Sequence, residues 1–187
     1  MGDARYERTR LALFNALDDL LAERIYSEIN VTDLALRANV GRQTFYRHFD
    51  SVNAMLNDRL RTSLADQMAL ARGDVAEPGS VDWFQHVTQG SFERVAAQPR
   101  ISRVILRGEA GADALDLFRE QIIRLWVSAP TNSPLTNAPP ELRPYVASFH
   151  AGAISAMLLH WIEAGCSPDA KTMSGLFTSL SMRARLP

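Results

Sequence analysis

The feature that most constrains this chain is a sharp turn between two short helical segments within residues 30–49. Asn30 is a favoured N-cap residue, and Asp33 follows three residues later, where a carboxylate faces the free N–H groups of the first helical turn. A second segment begins at Arg42, only a few residues after the first one ends. Asn39 suits the left-handed conformation that so short a connection requires. This spacing predicts a helix-turn-helix.

The second segment, about residues 42–48, has two chemically different faces. On a helical wheel Phe45 and Phe49 fall on the same side, so we expect both rings to be buried. Arg47 lies on the opposite side, flanked by Gln43 and Thr44. The pattern therefore predicts an aromatic face packed on a core and a polar face turned outward.

A helix-turn-helix places its second helix in the major groove of DNA. Arg42 and Gln43, at the start of the segment, are best placed to reach base edges, because Arg matches guanine and Gln matches adenine. Thr44 suits a thymine methyl or a phosphate, and the Tyr46 hydroxyl suits a phosphate. The alternative is a surface helix whose arginines are only solvated. The predicted N-cap, the predicted turn and the two faces of the helical wheel all fit a helix-turn-helix, and together they favour the DNA-binding interpretation.

The net charge and its distribution along the chain indicate which kind of nucleic-acid binder fits this sequence. The formal net charge is −1, which argues against a general polyanion binder, since nonspecific affinity comes from many phosphate contacts. Yet Arg37, Arg42 and Arg47 precede His48 in a stretch that contains no acidic residue. We therefore expect a local basic surface on a nearly neutral protein.

The rest of the chain predicts helices only. Runs of β-branched residues with period-two alternation are scarce, whereas apolar residues recur at spacings of three and four. Gly73, Pro78 and Gly79 interrupt the pattern, and a Pro-rich linker precedes the last two helices. The predicted helices cover about residues 5–24, 31–38, 42–48, 51–72, 81–97, 101–107, 112–128, 145–164 and 168–183.

Residues 30–56, "NVTDLALRANVGRQTFYRHFDSVNAML", resemble the DNA-binding domain of the TetR family of bacterial transcriptional regulators. Helix 1 extends the resemblance over roughly the first third of the chain. The family implies an all-α fold, with a three-helix helix-turn-helix DNA-binding domain at residues 1–50. Helix 4, about residues 51–72, connects it to an effector-binding and dimerisation helical bundle at residues 73–187.

The resemblance also implies which residues contact DNA, with the tyrosine and histidine of the motif typically on phosphates. They are Thr32, Arg42, Gln43, Thr44, Tyr46, Arg47 and His48. Asn39 and Gly41 stand where the family often has Gly and Ser. Val52 stands where a basic residue is common, so one phosphate contact is expected to be missing.

The first eight residues contain no apolar signal core, which predicts a cytoplasmic protein. The family further implies a homodimer that binds a palindromic operator in double-stranded DNA, more often as a repressor, and responds to a small-molecule effector. A small-residue stripe and large apolar residues on the last two helices predict the dimer interface: Ala147, Ala151, Ser155, Leu158, Trp161, Ile162, Leu176, Phe177 and Leu180. Ordinary packing within one chain is the alternative. An effector cavity is predicted among Trp83, Phe84, His86, Phe92, Phe118, Arg124 and Trp126, although such aromatic stripes are also typical of core.

Two other classes of function compete with this interpretation. One is a ligand-binding or interaction module that keeps the fold but has lost DNA binding, for which Val52 and the mild charge are hints. The other is an enzyme, but the four histidines lie far apart in sequence and no catalytic motif, metal-site spacing or cofactor loop is present. Cys166 is the sole cysteine and is interpreted as an incidental thiol. The apolar run at residues 145–162 is interrupted by polar residues, so no membrane span is expected.

Overall fold

The computed structural model describes residues 2–71, 80–127 and 137–182, with side chains for 4–62, 80–124 and 137–182. Over this part the chain is all-α, as predicted, with one 3₁₀ turn at Tyr26–Glu28 and no strand. The predicted break at Gly73, Pro78 and Gly79, most of the Pro-rich linker and the side chain of Trp126 lie outside it. The helices are α1 Gly2–Glu23, α2 Val31–Arg37, α3 Arg42–His48, α4 Val52–Ala71, α5 Val81–Ala97, α6 Pro99–Leu106, α7 Ala112–Val127, α8 Arg143–Glu163 and α9 Ala170–Met182.

The first core cluster joins the four amino-terminal helices. Leu13, Leu17 and Leu20 on α1 meet Leu34 on α2, Phe45 on α3, and Met55 and Leu56 on α4, all of them buried. Ile101, Val104 and Ile105 on α6 belong to the same cluster. The amino-terminal helices are therefore packed directly against the body of the protein.

The second core cluster lies in the body. It combines Trp83, Phe84 and Phe92 on α5 with residues of α8 and α9. Helix α9 packs along α5, while α8 crosses α5, α6 and α7. The two carboxyl-terminal helices thus cover the body rather than project from it.

One ion pair and one close backbone approach join the amino-terminal helices to the body. Asp18 on α1 accepts from Arg100 on α6 at 3.1 Å. Asn53, at the start of α4, accepts a hydrogen bond from the Tyr26 hydroxyl at 2.5 Å. Gly111, with φ of 94°, packs beside Asn53: a Cβ there would lie 3.8 Å from the Asn53 amide nitrogen. The start of α4 is therefore held both by the amino-terminal helices and by the turn before α7.

Candidate nucleic-acid interface and adjoining cavity

Helix α2 starts with a complete capping box. The Asn30 side chain accepts from the backbone N–H groups of Thr32 at 2.8 Å and Asp33 at 3.1 Å. The Asp33 carboxylate accepts in turn from the Asn30 backbone N–H at 3.2 Å. The predicted cap is confirmed, and it fixes where α2 begins relative to α1. Thr32, predicted to face DNA, is exposed on the first turn.

The turn between α2 and α3 has the conformation expected from its sequence. Asn39 has φ of 54°, in the left-handed region that asparagine tolerates better than most residues. The Val40 N–H donates to the Ala35 carbonyl at 2.9 Å, and the Val40 side chain is half-buried against the first core cluster. Helix α3 can therefore begin at Arg42 with a fixed direction.

Helix α3 presents the predicted polar face outward. Phe45 is 0% exposed and Phe49 is also buried. Arg42, Gln43 and Arg47 are exposed, while Thr44 is half-buried. Tyr46 is half-exposed and meets the Phe45 ring edge-on at a centroid distance of 5.6 Å. Both faces therefore lie as the wheel predicted.

The basic surface is narrower than the sequence indicated. Arg37 donates to both carboxylate oxygens of Glu23 at 2.8 Å, so its charge is neutralised within the chain. In contrast, among the described side chains no carboxylate lies within 4.0 Å of Arg42 or Arg47. The positive charge available to a polyanion is concentrated on α3 itself.

His48 is held against α1. Its ring stacks on Tyr6 at a centroid distance of 4.1 Å with the planes 25° apart. Burial lowers the pKa of His48, and the nearby charges of Arg47 and Arg10 lower it further, while Glu7 opposes them. In the protein without DNA, the imidazole is therefore mainly uncharged at neutral pH.

Val52 has a structural role at the start of α4. It is half-buried and packs on the first core cluster. An apolar side chain here adds contact area where a cation would have to stay solvated. The sequence difference is thus explained by packing, whatever phosphate contact it removes.

A cavity of about 330 Å³ lies where the amino-terminal helices meet the body. Helices α1 and α4 form one side, and α5, α6 and α7 form the other. Most of its wall is apolar, from residues such as Phe14, Leu60, Ile105 and Ile122. A volume of this size falls within the range of small-molecule sites, about 300–1,000 Å³.

Two polar side chains in the cavity wall lack strong partners. The Arg59 guanidinium lies 4.6 Å from the centre of the Phe14 ring, and its Nε donates to the Gln98 side chain at 2.7 Å. Burial lowers the pKa of Arg59. Gln121 is 4% exposed, and its amide nitrogen has no hydrogen-bond partner among the described groups. Leaving such a donor unpaired costs about 1–3 kcal/mol.

Of the described residues that the sequence analysis placed in an effector cavity, one lines the cavity seen in the structure. Phe118 lines the cavity. Trp83, Phe84 and Phe92 are buried in the second core cluster, where they contact other core residues rather than the cavity. His86 is half-buried on α5, and Arg124 is exposed and pairs with Glu120 at 3.6 Å. The Trp126 side chain is outside the described residues.

Arg59 and Gln121 were missed by the sequence analysis. A signal was available for Arg59, since it lies three positions after buried Leu56 and four positions after buried Met55, on the same face of α4. A charged residue on an otherwise buried face is informative because such residues are rarely buried without a purpose. Gln121 has the same kind of setting beside buried Ile122.

Most residues predicted at the dimer interface are buried within the chain itself. Ala151, Ser155, Leu158, Trp161, Ile162 and Phe177 are all buried, and Leu158 is 0% exposed. Packing against α5, α6 and α7 already covers these side chains, so they have little surface left for a partner. Ala147 is half-buried, and Leu176 and Leu180 are exposed. Tyr145, 74% exposed, and Phe149, 64% exposed, are the outward apolar residues of α8.

The remaining candidate groups fit structural roles. Cys166 follows α8 in a turn with φ of 59°, and burial raises the pKa of its thiol, which disfavours the reactive thiolate. Among the described residues no cluster of His, Cys, Asp or Glu is placed to bind a metal ion. By length and composition alone, α8 is the one described helix that meets the criterion for a membrane span, a criterion that core helices also meet.

Comparison with known proteins agrees with this architecture. A family model described as "Bacterial regulatory proteins, tetR family" matches residues 13–58, the span from α1 to the first half of α4.

Solved structures similar to the chain over nearly its whole length share its fold. One is a TetR transcriptional regulator from Streptococcus agalactiae, 20% identical, with 97% of this chain and 98% of that one covered and a TM-score of 0.64. Another is the regulator FadR from Bacillus subtilis in complex with stearoyl-CoA, 13% identical, covering 94% and 99%, with a TM-score of 0.70. A third is NalD, a repressor of a multidrug efflux pump in Pseudomonas aeruginosa, 17% identical, covering 95% and 96%, with a TM-score of 0.65.

Proposed function

We propose that this TetR-family protein, whose amino-terminal domain matches the family model and whose whole chain has the family fold, regulates transcription by binding DNA through α3. One observation carries the proposal. Helix α3 turns Arg42, Gln43 and Arg47 outward, with both guanidinium groups free of described carboxylate partners. Phe45 and Phe49 fix this helix to the core, so the polar face is presented in one orientation.

Each residue of the face has a distinct role in the proposed complex. Arg42 and Gln43 read base edges near the start of α3, and Thr44 contacts a base methyl or a phosphate. Tyr46, Arg47, His48 and Thr32 contact the backbone, which positions the helix in the groove without reading sequence.

The protein acts as a homodimer on a palindromic operator in the cytoplasm. A single short helix covers only part of a binding site, and two copies related by a two-fold axis reach two half-sites about one helical turn apart. The exposed apolar residues of α8 and α9 supply a surface for the partner: Tyr145, Phe149, Leu176 and Leu180. Exposed apolar side chains grouped on a helix are typical of interaction sites.

An effector in the cavity releases the protein from its operator, which makes it a repressor, the role also named for the similar NalD. The cavity lies between α1 and α4 on one side and α5 to α7 on the other. A ligand that prefers a different angle between these two sides moves the two α3 helices out of register with successive major grooves. A coupling free energy of about 1–3 kcal/mol is enough for a usable switch, and it is reciprocal between DNA and effector.

Selection from random-sequence duplexes, repeated at several salt concentrations, tests the DNA-binding proposal. We expect enrichment of a palindromic site, with affinity that falls as salt rises because phosphate contacts release counterions. The matched control is the double variant Arg42→Ala, Arg47→Ala, which should recover no site. If the unaltered protein enriches no palindrome at low salt, the chain is instead a ligand-binding module that has lost DNA binding.

A further inference from the structure

We propose that the cavity between the amino-terminal helices and the body binds a medium-length organic carboxylate that carries a second hydrogen-bond acceptor. The carboxylate binds Arg59, the chain occupies the apolar part of the cavity, and the second acceptor binds the Gln121 amide. The proposal rests on the proposed function only in making this ligand the effector; binding itself does not require DNA.

Arg59 is the anion-binding group. Its one described hydrogen bond uses Nε and a neutral partner, Gln98, so both terminal nitrogens remain as donors. Among the described side chains no carboxylate lies within 4.0 Å of it. An arginine stays protonated in a protein, and its planar fork matches a carboxylate with two parallel hydrogen bonds. Its contact with the Phe14 ring at 4.6 Å fixes the plane of the fork.

The neighbouring charges favour an anion over a cation. Among the lining residues that the structure describes, Arg10, Arg59 and Arg94 are basic and Glu7 is acidic. Glu7 and Asp58 both pair with Arg10, so their charges are directed to that guanidinium. The Asp18 carboxylate also acts on Arg59, but from beyond 4.0 Å, and it pairs with Arg100 at 3.1 Å. A ligand carboxylate would therefore be the direct ion-pair partner of Arg59, whereas a ligand amine would be repelled by its guanidinium.

Gln121 accounts for the second acceptor. Gln121 lines the cavity, and its buried amide nitrogen lacks a partner among the described groups. A ligand oxygen, as in a hydroxyl, ketone or ether, would satisfy that donor. A purely aliphatic chain would leave it unpaired, so the site should discriminate between the two.

The volume sets the length of the ligand. At about 30 Å³ for an atom group of the size of water, a cavity of about 330 Å³ holds about ten such groups. Phe14, Leu60, Ile105 and Ile122 supply the apolar wall for most of them. A carboxylate of about eight to ten carbons, with about ten to twelve non-hydrogen atoms, therefore fits by the same volume estimate.

Calorimetry on the unaltered protein without DNA tests the head group. Decanoate, decan-1-ol and decylamine share a chain and differ only in charge. We expect decanoate to bind at least about tenfold more tightly than decan-1-ol, as expected for a hydrogen bond to a charged group, and decylamine to bind worst. Equal dissociation constants for the three, or tightest binding of decylamine, would overturn the proposal.

Variants then assign the residues. Arg59→Met should bring the dissociation constants of decanoate and decan-1-ol together, and the binding of decan-1-ol that remains shows that the cavity is still folded. Arg59→Lys should keep part of the preference. If Arg59→Met binds both ligands as the unaltered protein does, Arg59 is not the anion-binding group.

A series of hydroxydecanoates that differ in hydroxyl position tests Gln121. One member should bind more tightly than decanoate, and Gln121→Leu should remove that advantage while leaving decanoate binding unchanged or improved. If no member exceeds decanoate, the second acceptor is not part of the site.

Release from the operator is measured separately, on the palindrome that selection recovers. Arg59-dependent carboxylate binding without any recovered palindrome would refute the regulator and leave the ligand assignment intact. A recovered palindrome together with equal binding of decanoate, decan-1-ol and decylamine would support the regulator and refute the ligand assignment.

Discussion

Helices α3 and α8 differ in how well their sequences predict which face of the helix is buried. In α3 the outward residues Arg42, Gln43 and Arg47 and the inward Phe45 were all assigned from the wheel, and the structure agrees. In α8 a small-residue stripe, large apolar residues and the family resemblance assigned Leu158 and Trp161 to a partner, yet both are buried within the chain. The helical character of both segments was predicted equally well; only the direction of their faces differed.

Contrast between side chains explains the difference. Helix α3 has charged and aromatic residues on opposite sides, so only one orientation buries the rings and leaves the charges in water. Helix α8 carries apolar residues around most of its circumference, including Tyr145 and Phe149 on the exposed side. Its burial is decided by which neighbouring helices lie against it, and those contacts are distant in sequence.

Among substitutions that test this comparison, the largest change in the free energy of unfolding is expected at Phe45. Phe45→Ala removes a fully buried ring from the junction of three helices and should lower the free energy of unfolding by about 3–5 kcal/mol. Arg47→Ala, two positions along the same helix, should change it by no more than about 0.5 kcal/mol. Urea denaturation measures both, and similar losses for the two variants would show that the faces of α3 are misassigned.

The corresponding test on α8 and α9 pairs Leu158 with Leu180. Leu158→Ala should lower the free energy of unfolding by about 2–5 kcal/mol, because Leu158 is 0% exposed. Leu180 is 62% exposed, so Leu180→Ala should leave the protomer core intact and weaken the dimer. Sedimentation over a range of concentrations reports the second effect. A monomeric Leu158→Ala that is as stable as the unaltered chain would restore the interface predicted from the sequence.

The outward face of α3 can be divided further by DNA binding. Arg42→Ala should cost about 1–3 kcal/mol and relax the preference at one position in each half-site. Tyr46→Phe removes only a hydroxyl and should weaken binding to all sequences alike. Binding measured on single-base variants of the recovered site separates them, and a sequence-selective loss in Tyr46→Phe would reassign that residue to base reading.

The smallest effect concerns a histidine in each region. The pKa values of His48 and His150 are both lowered from 6.5, mainly by burial. The unfolded chain therefore binds protons first as pH falls below about 6.5, and the free energy of unfolding decreases from there down to the folded pKa values. The full contribution of the two histidines to the free energy of unfolding is present above pH 6.5.

Denaturation at a series of pH values checks this expectation. His48→Gln and His150→Gln should each flatten the loss of stability on acidification. A steep loss that persists in both buried-site variants would assign the acid sensitivity to other groups.

The sequence by itself determined the secondary structure and the two faces of α3. Helix positions follow from spacing, breakers and caps, which act within a few residues, and Asn30, Asp33 and Asn39 specify α2 and its turn locally. The order of charges and rings in α3 likewise needs no information from the rest of the chain.

Only the tertiary structure decided which side chains share an environment. Phe14, Arg59 and Gln121 come from three different helices, and no local pattern brings them to one cavity. The charge of Arg37 is neutralised by Glu23 on another helix. Trp83 and Phe92 pack in the second core cluster and do not line the cavity. These outcomes depend on packing between distant segments, where many arrangements satisfy the same helical pattern and close packing of the interior selects one.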